Sequence, residues 1–472
     1  MTLTIDSSVT IGSGSGSSGA AQAQNFAAGG KLVTMGDSQN ALGTSVTATT
    51  RDMQSRGAMT WARRYSKQSL IYTPDLNVAV GGTTWGAYDT QMPLALALNP
   101  DFIMTNWGIN DSVGATGAAM TLAKTNAARF IVDSFAAGVT PILQMLPPRS
   151  DASGTAAALA WIDSYNRFLM DLCSMRDDLV TLYNLPKHRT PILVTCERYP
   201  AYGATNGTSN PGMIGSDGLH KDMGGGIYEG YQIAQAIEKL RPPVPKSYCS
   251  PYNKYDATNN PNGNLFVFSS TNRGMFQGTG GTLSTNGGIT PTGSIAPNCQ
   301  LTAQNTITST GTTAVAYKEN PRTDGLISGE GQGIRLTSTG GAGAGAEVFQ
   351  FNLVNGVQGI RTGFSAGDVV VFRMKVKIKT CVGLLNLNFT LNEGGPASPR
   401  SYSDGGTTVN TVPVSAANFP ELLIPFYIET QPLTLQSGIV DIFAKTIMTL
   451  DGAGSSYDLD VVFYDAVVHK IN

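Results

Sequence analysis

From Lys31 to about Arg241, short apolar runs alternate with longer stretches in which apolar residues recur every three or four positions. The runs Lys31–Met35 (KLVTM), Asn77–Val80 (NVAV), Phe102–Asn106 (FIMTN), Pro141–Met145 (PILQM) and Leu179–Tyr183 (LVTLY) are four or five residues long and largely apolar. Strands covered on both faces of a parallel sheet have this texture. Between them the pattern predicts helices over Ala58–Gln68, Trp85–Leu98, Ala118–Ala137 and Thr155–Met175. In the last, Ile162, Tyr165, Leu169 and Leu172 fall on one face. A closing helix is expected from about Ile227 to Leu240, stopped by Pro242 and Pro243. Strands alternating with helices predict a three-layer α/β domain with a mainly parallel sheet, placed at residues 31–245.

After Arg241–Pro245 (RPPVP) the texture changes. Residues 251–350 are sparse in charge, crowded with Gly, Thr, Ser and Asn, and free of helical periodicity. Apolar and polar residues then alternate in Gly367–Ile378, Leu384–Leu391, Glu421–Ile428 and Tyr457–Val468, between Gly, Asn and Asp turns. That pattern predicts an all-β sandwich over residues 246–472. Residues 1–30, rich in Gly, Ser and Ala, read as a flexible linker or attachment segment.

Charge excludes one class of partner. Lys and Arg total 31 against 33 Asp and Glu, a net charge of -2, and charged residues are only 14% of the chain. No basic run supplies the phosphate attraction on which nucleic-acid affinity rests, so no nucleic acid is expected. No apolar stretch is long enough for a membrane span, and the opening MTLTIDSSVT lacks the basic and apolar regions of a secretory leader. Cys173, Cys196, Cys249, Cys299 and Cys381 are scattered without CxxC pairs, which predicts mostly free, buried thiols and neither a zinc site nor a disulfide framework.

Three short motifs sit where open α/β sheets place their ligands, after strands or in the loop before the last helix. Gly36-Asp37-Ser38 follows KLVTM, and a serine at that turn can present its hydroxyl above the sheet. Gly108-Ile109-Asn110-Asp111 follows FIMTN, and an asparagine amide there suits an oxyanion. In Asp217-Gly218-Leu219-His220 a carboxylate three residues ahead of an imidazole can accept its Nδ1–H and leave Nε2 as a base. Each motif alone could be an ordinary turn. Of the three histidines, His188 lies in a basic loop and reads as a solvated surface residue, and His469 lies beside the C-terminus, where a structural role is expected. Only His220 has a carboxylate at this spacing in a ligand-facing loop.

Together these motifs resemble the SGNH, or GDSL-type, hydrolase family over about residues 31–241. The resemblance implies a flavodoxin-like catalytic domain in which Ser38 is the nucleophile and Asp217 and His220 complete the triad. The family's second block, N-x-G-x-x-G-x-T, is matched by Asn77, Gly82 and Thr84, with Ala79 at its first glycine. The oxyanion hole would then consist of the Ser38 and Gly82 backbone N–H groups and the Asn110 amide. Gln39 stands where Leu is usual and Gly43 comes one position late, so a differently shaped loop is expected after the nucleophile. The implied chemistry is acyl transfer through an acyl-serine, with no metal or cofactor.

The polar, aromatic-sprinkled β region, expected to be jelly-roll-like, and the lack of a lid-like apolar segment favour a small acyl group on a glycan. Asn260–Thr282 is similar to stretches in bacteriophage tail spikes and fibres. That resemblance implies a virion tail protein, extracellular when acting, that removes O-acetyl groups from a bacterial surface polysaccharide, assembles as a homotrimer and attaches through its N-terminus. The alternatives are a secreted bacterial carbohydrate esterase and a non-catalytic receptor-binding protein.

Overall fold

The computed structural model describes residues 30–196, 212–241, 253–266, 275–324, 329–340, 345–353, 359–454 and 456–471. The expected linker at 1–30 lies, except for Gly30, outside the described residues, as does Cys249. Along the first part run β1 (Leu32–Thr34), α1 (Ser38–Ala41), β2 (Thr44–Val46), β3 (Thr50–Gln54), α2 (Ala58–Tyr65), α3 (Tyr88–Ala97), β4 (Phe102–Thr105), α4 (Gly117–Ala136), β5 (Thr140–Gln144), α5 (Ala156–Cys173), α6 (Asp177–Tyr183), β6 (Ile192–Val194) and α7 (Met223–Leu240).

β1, β4, β5 and β6 form a parallel sheet in that order. Every residue of β1 and β4 is buried, which is why their sequences carry no alternation. The segment Asn77–Val80 is not a strand. It runs extended along the free edge of β1, with Val78 N–H donating to Thr34 O and Val80 N–H to Gly36 O. The chain thus crosses from β1 to one side and returns to β4 on the other. This reversal opens a crevice at the carboxyl end of β1, where α/β sheets bind their ligands.

The run Leu179–Tyr183 is helical, contrary to the strand its composition predicts. Asp177 and Asp178 favour a helix start, Asn184 closes it in the left-handed conformation, and only Leu179 and Val180 are buried while Leu182 is exposed. A short apolar run does not distinguish the two states by period. The last sheet strand is instead Ile192–Val194. Helix α7 starts at Met223, earlier than expected, because Gly224, Gly226 and Gly230 allow close packing. A Cβ on Gly230 would stand 2.5 Å from Ala58 O and from Trp61 Cβ, and one on Gly224 would stand 2.2 Å from Phe419 Cζ.

The second part is a two-sheet sandwich. One sheet orders Phe426–Glu429, Val369–Val382, Asp458–Lys470, Gly331–Thr337, Thr313–Glu319 and Thr292–Gly293, with Leu433–Thr434 pairing beside Val369–Val382. The other orders β2, β3, Ser401–Gly405, Leu384–Gly394, Asp441–Asp451, Ala346–Asn352, Gln300–Ala303 and Thr282–Ser284. Most pairs are antiparallel, and the apolar residues of both inner faces form one core. The Gly- and Thr-rich stretch 251–350 contributes several of these strands.

The expected division between 31–245 and 246–472 is crossed by a shared sheet. The hairpin β2–β3 belongs to the sandwich, and β3 pairs in parallel with Ser401–Gly405. Helix α2 is sealed into the same junction. Arg64 is fully buried, donates from Nε to Asp404 Oδ1 at 2.7 Å, and stacks 4.4 Å over Trp61. Arg63 donates to Glu429 O at 3.2 Å. Cys173, Cys299 and Cys381 are free thiols, and these three and Cys196 are buried. Among the described residues, no helix is long and apolar enough to cross a membrane.

Candidate active site

Gly36 leaves β1 with φ of 132°, and a Cβ there would stand 2.3 Å from Asn106 Oδ1, so only glycine permits the turn. Asp37 caps α1 by accepting the Gln39 N–H at 3.0 Å. Ser38 is then the first helical residue, half-buried, with no intrahelical acceptor for its N–H.

The Asp217–His220 loop meets it 182 positions later in sequence. Ser38 Oγ lies 2.8 Å from His220 Nε2, and His220 Nδ1 lies 2.7 Å from Asp217 Oδ2. Asp217 Oδ1 accepts the N–H groups of Leu219 and His220, both at 2.9 Å. Partial burial pushes the Asp217 carboxyl up, but these N–H groups and the imidazole outweigh it and hold it below its ordinary value. An ionised Asp217 takes the Nδ1–H and leaves Nε2 to accept the Ser38 hydroxyl proton.

The other two expected residues lie in loops joined by a hydrogen bond from Asn110 to Thr83, the residue after Gly82. Gly82 adopts φ of 78°, and its N–H meets no acceptor among the described residues. Its neighbour Gly81 lies against Ser38, where a Cβ would be 3.8 Å from Ser38 Cβ. Asn110 donates from Nδ2 to Thr83 O at 2.9 Å, which fixes the amide plane and leaves its second N–H for another acceptor. Asp111 accepts the Trp85 N–H, joining the two loops, and burial pushes its carboxyl up to about 6. Asn77 has a structural part, donating to Asn40 O and Thr44 Oγ1.

Several functional residues carried no recognisable signal. Gln39, noted only as a departure from Leu, donates from Nε2 to Leu219 O at 2.7 Å and accepts the Lys221 N–H at 3.2 Å, so it grips both flanks of His220. Lys221 in turn ends on Glu229 at 2.6 Å, with both side chains buried. Beside Asp217 and His220 opens a cavity of about 110 Å³ whose other wall is Thr408–Thr411 of the second part. His188 is exposed, and His469 is buried in the sandwich. Among the described residues, no cluster of His, Cys, Asp and Glu could hold a metal ion.

A hydroxyl, an imidazole and a carboxylate aligned at the carboxyl edge of a parallel sheet form the constellation of a serine hydrolase of SGNH type. Residues 41–220 match the model of the GDSL-like Lipase/Acylhydrolase family, a match that begins just after Ser38 and ends on His220. No curated protein matches the chain. Solved structures that it resembles include an alpha/beta hydrolase enzyme from the metagenome of Lake Arreo, Spain, at 16% identity, covering 45% of this chain and 95% of that one with a TM-score of 0.31. A variant of an acetyl xylan esterase from Geobacillus stearothermophilus shows 14% identity over 45% and 94%, with a TM-score of 0.30. A GDSL-like lipase from Bacteroides thetaiotaomicron shows 19% identity over 45% and 89%, with a TM-score of 0.29. The family match over residues 41–220 and the site geometry together support an ester hydrolase of GDSL type in the α/β part.

Proposed function

We propose that the protein is a serine esterase that removes small acyl groups, O-acetyl above all, from a polysaccharide. The observation that carries this reading is the relay from Ser38 Oγ through His220 to Asp217, at 2.8 and 2.7 Å. His220 Nε2 takes the Ser38 proton as Oγ attacks the ester carbonyl. The Ser38 and Gly82 N–H groups and the free Asn110 N–H receive the oxyanion, each worth about 10²- to 10³-fold in rate. The sugar alcohol leaves with the proton from His220, and water then releases the acid from the acyl-serine.

The glycan part of the reading is supported by the polar sandwich whose loop walls the cavity beside His220. A virion-tail setting, with trimer formation and N-terminal attachment, rests on the likeness of Asn260–Thr282 to tail spikes and fibres. The test is acetate release from a panel of O-acetylated polysaccharides by the wild type and by Ser38→Ala. Release by the wild type alone is expected, and full release by Ser38→Ala refutes the mechanism.

A further inference from the structure

The cavity beside the catalytic pair is built by both parts of the chain. One wall is Gly215–Asp217 with His220, another is Thr408–Thr411, and Arg56, between β3 and α2, closes it. The 408–412 loop is held firmly. Asp222 Oδ2 accepts the Thr411 N–H, the Thr411 hydroxyl and the Val412 N–H, each at 2.9 Å, and Asn410 donates to Ser55 Oγ and Leu385 O. These bonds give the cavity a fixed shape before any ligand arrives.

The charged groups in its lining differ in how far they are already engaged. Asp217 is saturated by His220 and two backbone N–H groups. Asp222 is filled by Thr411, Val412 and the Met223 N–H at the start of α7. Lys221 is committed to Glu229. Arg56 alone keeps donors in reserve. Its Nε donates to Leu42 O at 3.2 Å, while its two terminal nitrogens meet no acceptor among the described residues. Burial pulls its pKa down from the ordinary value, against the opposing charges of Asp222 and Asp217. A half-buried guanidinium with unengaged terminal nitrogens, in the wall of a preformed cavity that Asp217 and His220 also line, suits the planar two-oxygen geometry of a carboxylate.

We propose that this cavity is a sugar subsite in which Arg56 pairs with the carboxylate of an acidic residue such as a uronate, so that the preferred substrate is an O-acylated acidic polysaccharide. The proposal rests on the esterase reading of Ser38 and His220 and names the substrate class of that site. Thr408 and Ser216 line the same space and carry hydroxyls that suit the ring oxygens of a sugar.

The full-length chain is assayed on O-acetylated polygalacturonate and on a neutral O-acetylated xylan. A charge-assisted pair of this kind is worth about tenfold or more in binding, so kcat/KM is expected to favour the acidic polymer by about that factor, and the preference should shrink as sodium chloride rises. Arg56→Gln should lower the acidic-to-neutral ratio by about tenfold through KM, and Arg56→Lys should fall between. Binding supplies a readout free of turnover: Ser38→Ala should bind unacetylated polygalacturonate, and the Ser38→Ala/Arg56→Gln double variant should not. Equal kcat/KM on both polymers in the wild type, or a ratio unmoved by Arg56→Gln, overturns the subsite. Binding without hydrolysis of either polymer or of p-nitrophenyl acetate would instead overturn the esterase reading and leave the subsite standing.

Discussion

Replacing Gln39 by the leucine usual in the family tests whether the grip on His220 is part of catalysis. Leucine has nearly the volume of glutamine, so little cavity is created. What disappears is the donor to Leu219 O at 2.7 Å and the acceptor for Lys221 N–H at 3.2 Å. Lys221 is buried, so its N–H is left without a partner at a cost of about 1–3 kcal/mol, and the partly exposed Leu219 carbonyl adds about 1 kcal/mol more. The total is a destabilisation of about 2–4 kcal/mol, concentrated in the three residues that carry the base. Displacing a catalytic group by about 1 Å can cost about 10²-fold. Gln39→Leu is therefore expected to lower kcat on p-nitrophenyl acetate by about 10- to 100-fold with KM little changed, because Gln39 does not line the cavity beside His220. Gln39→Glu keeps the acceptor for Lys221 N–H but not the donor to Leu219 O, and should fall between. Thermal unfolding and steady-state kinetics on the same preparations decide the matter. A lowered melting temperature with unchanged kcat would refute the positioning argument and leave Gln39 a structural residue.

Two further outcomes follow from the same contacts. Burial pushes the Asp37 carboxyl up to about 7 from 3.8, only partly offset by the Gln39 N–H and the charge of Lys221, while Asp111 adds to it. The folded chain then holds a proton there that the unfolded chain has lost, so this group's contribution to stability is full below about pH 4 and falls as pH rises to 7. Over that range the loss amounts to about 4 kcal/mol; Asp37→Asn should flatten that slope in urea unfolding between pH 5 and pH 8, and an unaltered slope counts against it. A chain ended after Arg241 strips the partner strand from β3 and Asp404 from buried Arg64, and an unpaired buried charge costs about 3–5 kcal/mol. It is expected to be insoluble or inactive even on p-nitrophenyl acetate, whereas a soluble, active fragment would show that the α/β part folds alone.

Local chemistry determined much of this protein from the sequence. The buried strands β1, β4 and β5 read as unbroken apolar runs because both faces are covered, and α4 and α5 read from their period. Gly36-Asp37-Ser38, Gly108–Asp111 and Asp217–His220 each consist of neighbouring residues whose geometry follows from a turn, a cap or an i,i+3 contact. Ser38 and His220 were legible for that reason, and the structure sets them 2.8 Å apart.

Non-local pairing decided the rest. Nothing within Leu179–Tyr183 separates a short helix from a short strand, and the outcome depended on flanking acids and on which side chains found a core. Arg63 and Arg64 look like surface charge at the end of an amphipathic helix until Asp404 and Glu429, more than 300 positions away, enclose them. The hairpin β2–β3 carries no mark of the sheet it joins, because a strand's edge will pair with any complementary edge and its partner lies 351 positions further on, where Ser403 donates to Asp52. The same pairing brings Thr408–Thr411 to Arg56 and His220 and so builds the cavity, which no single segment of the chain encodes.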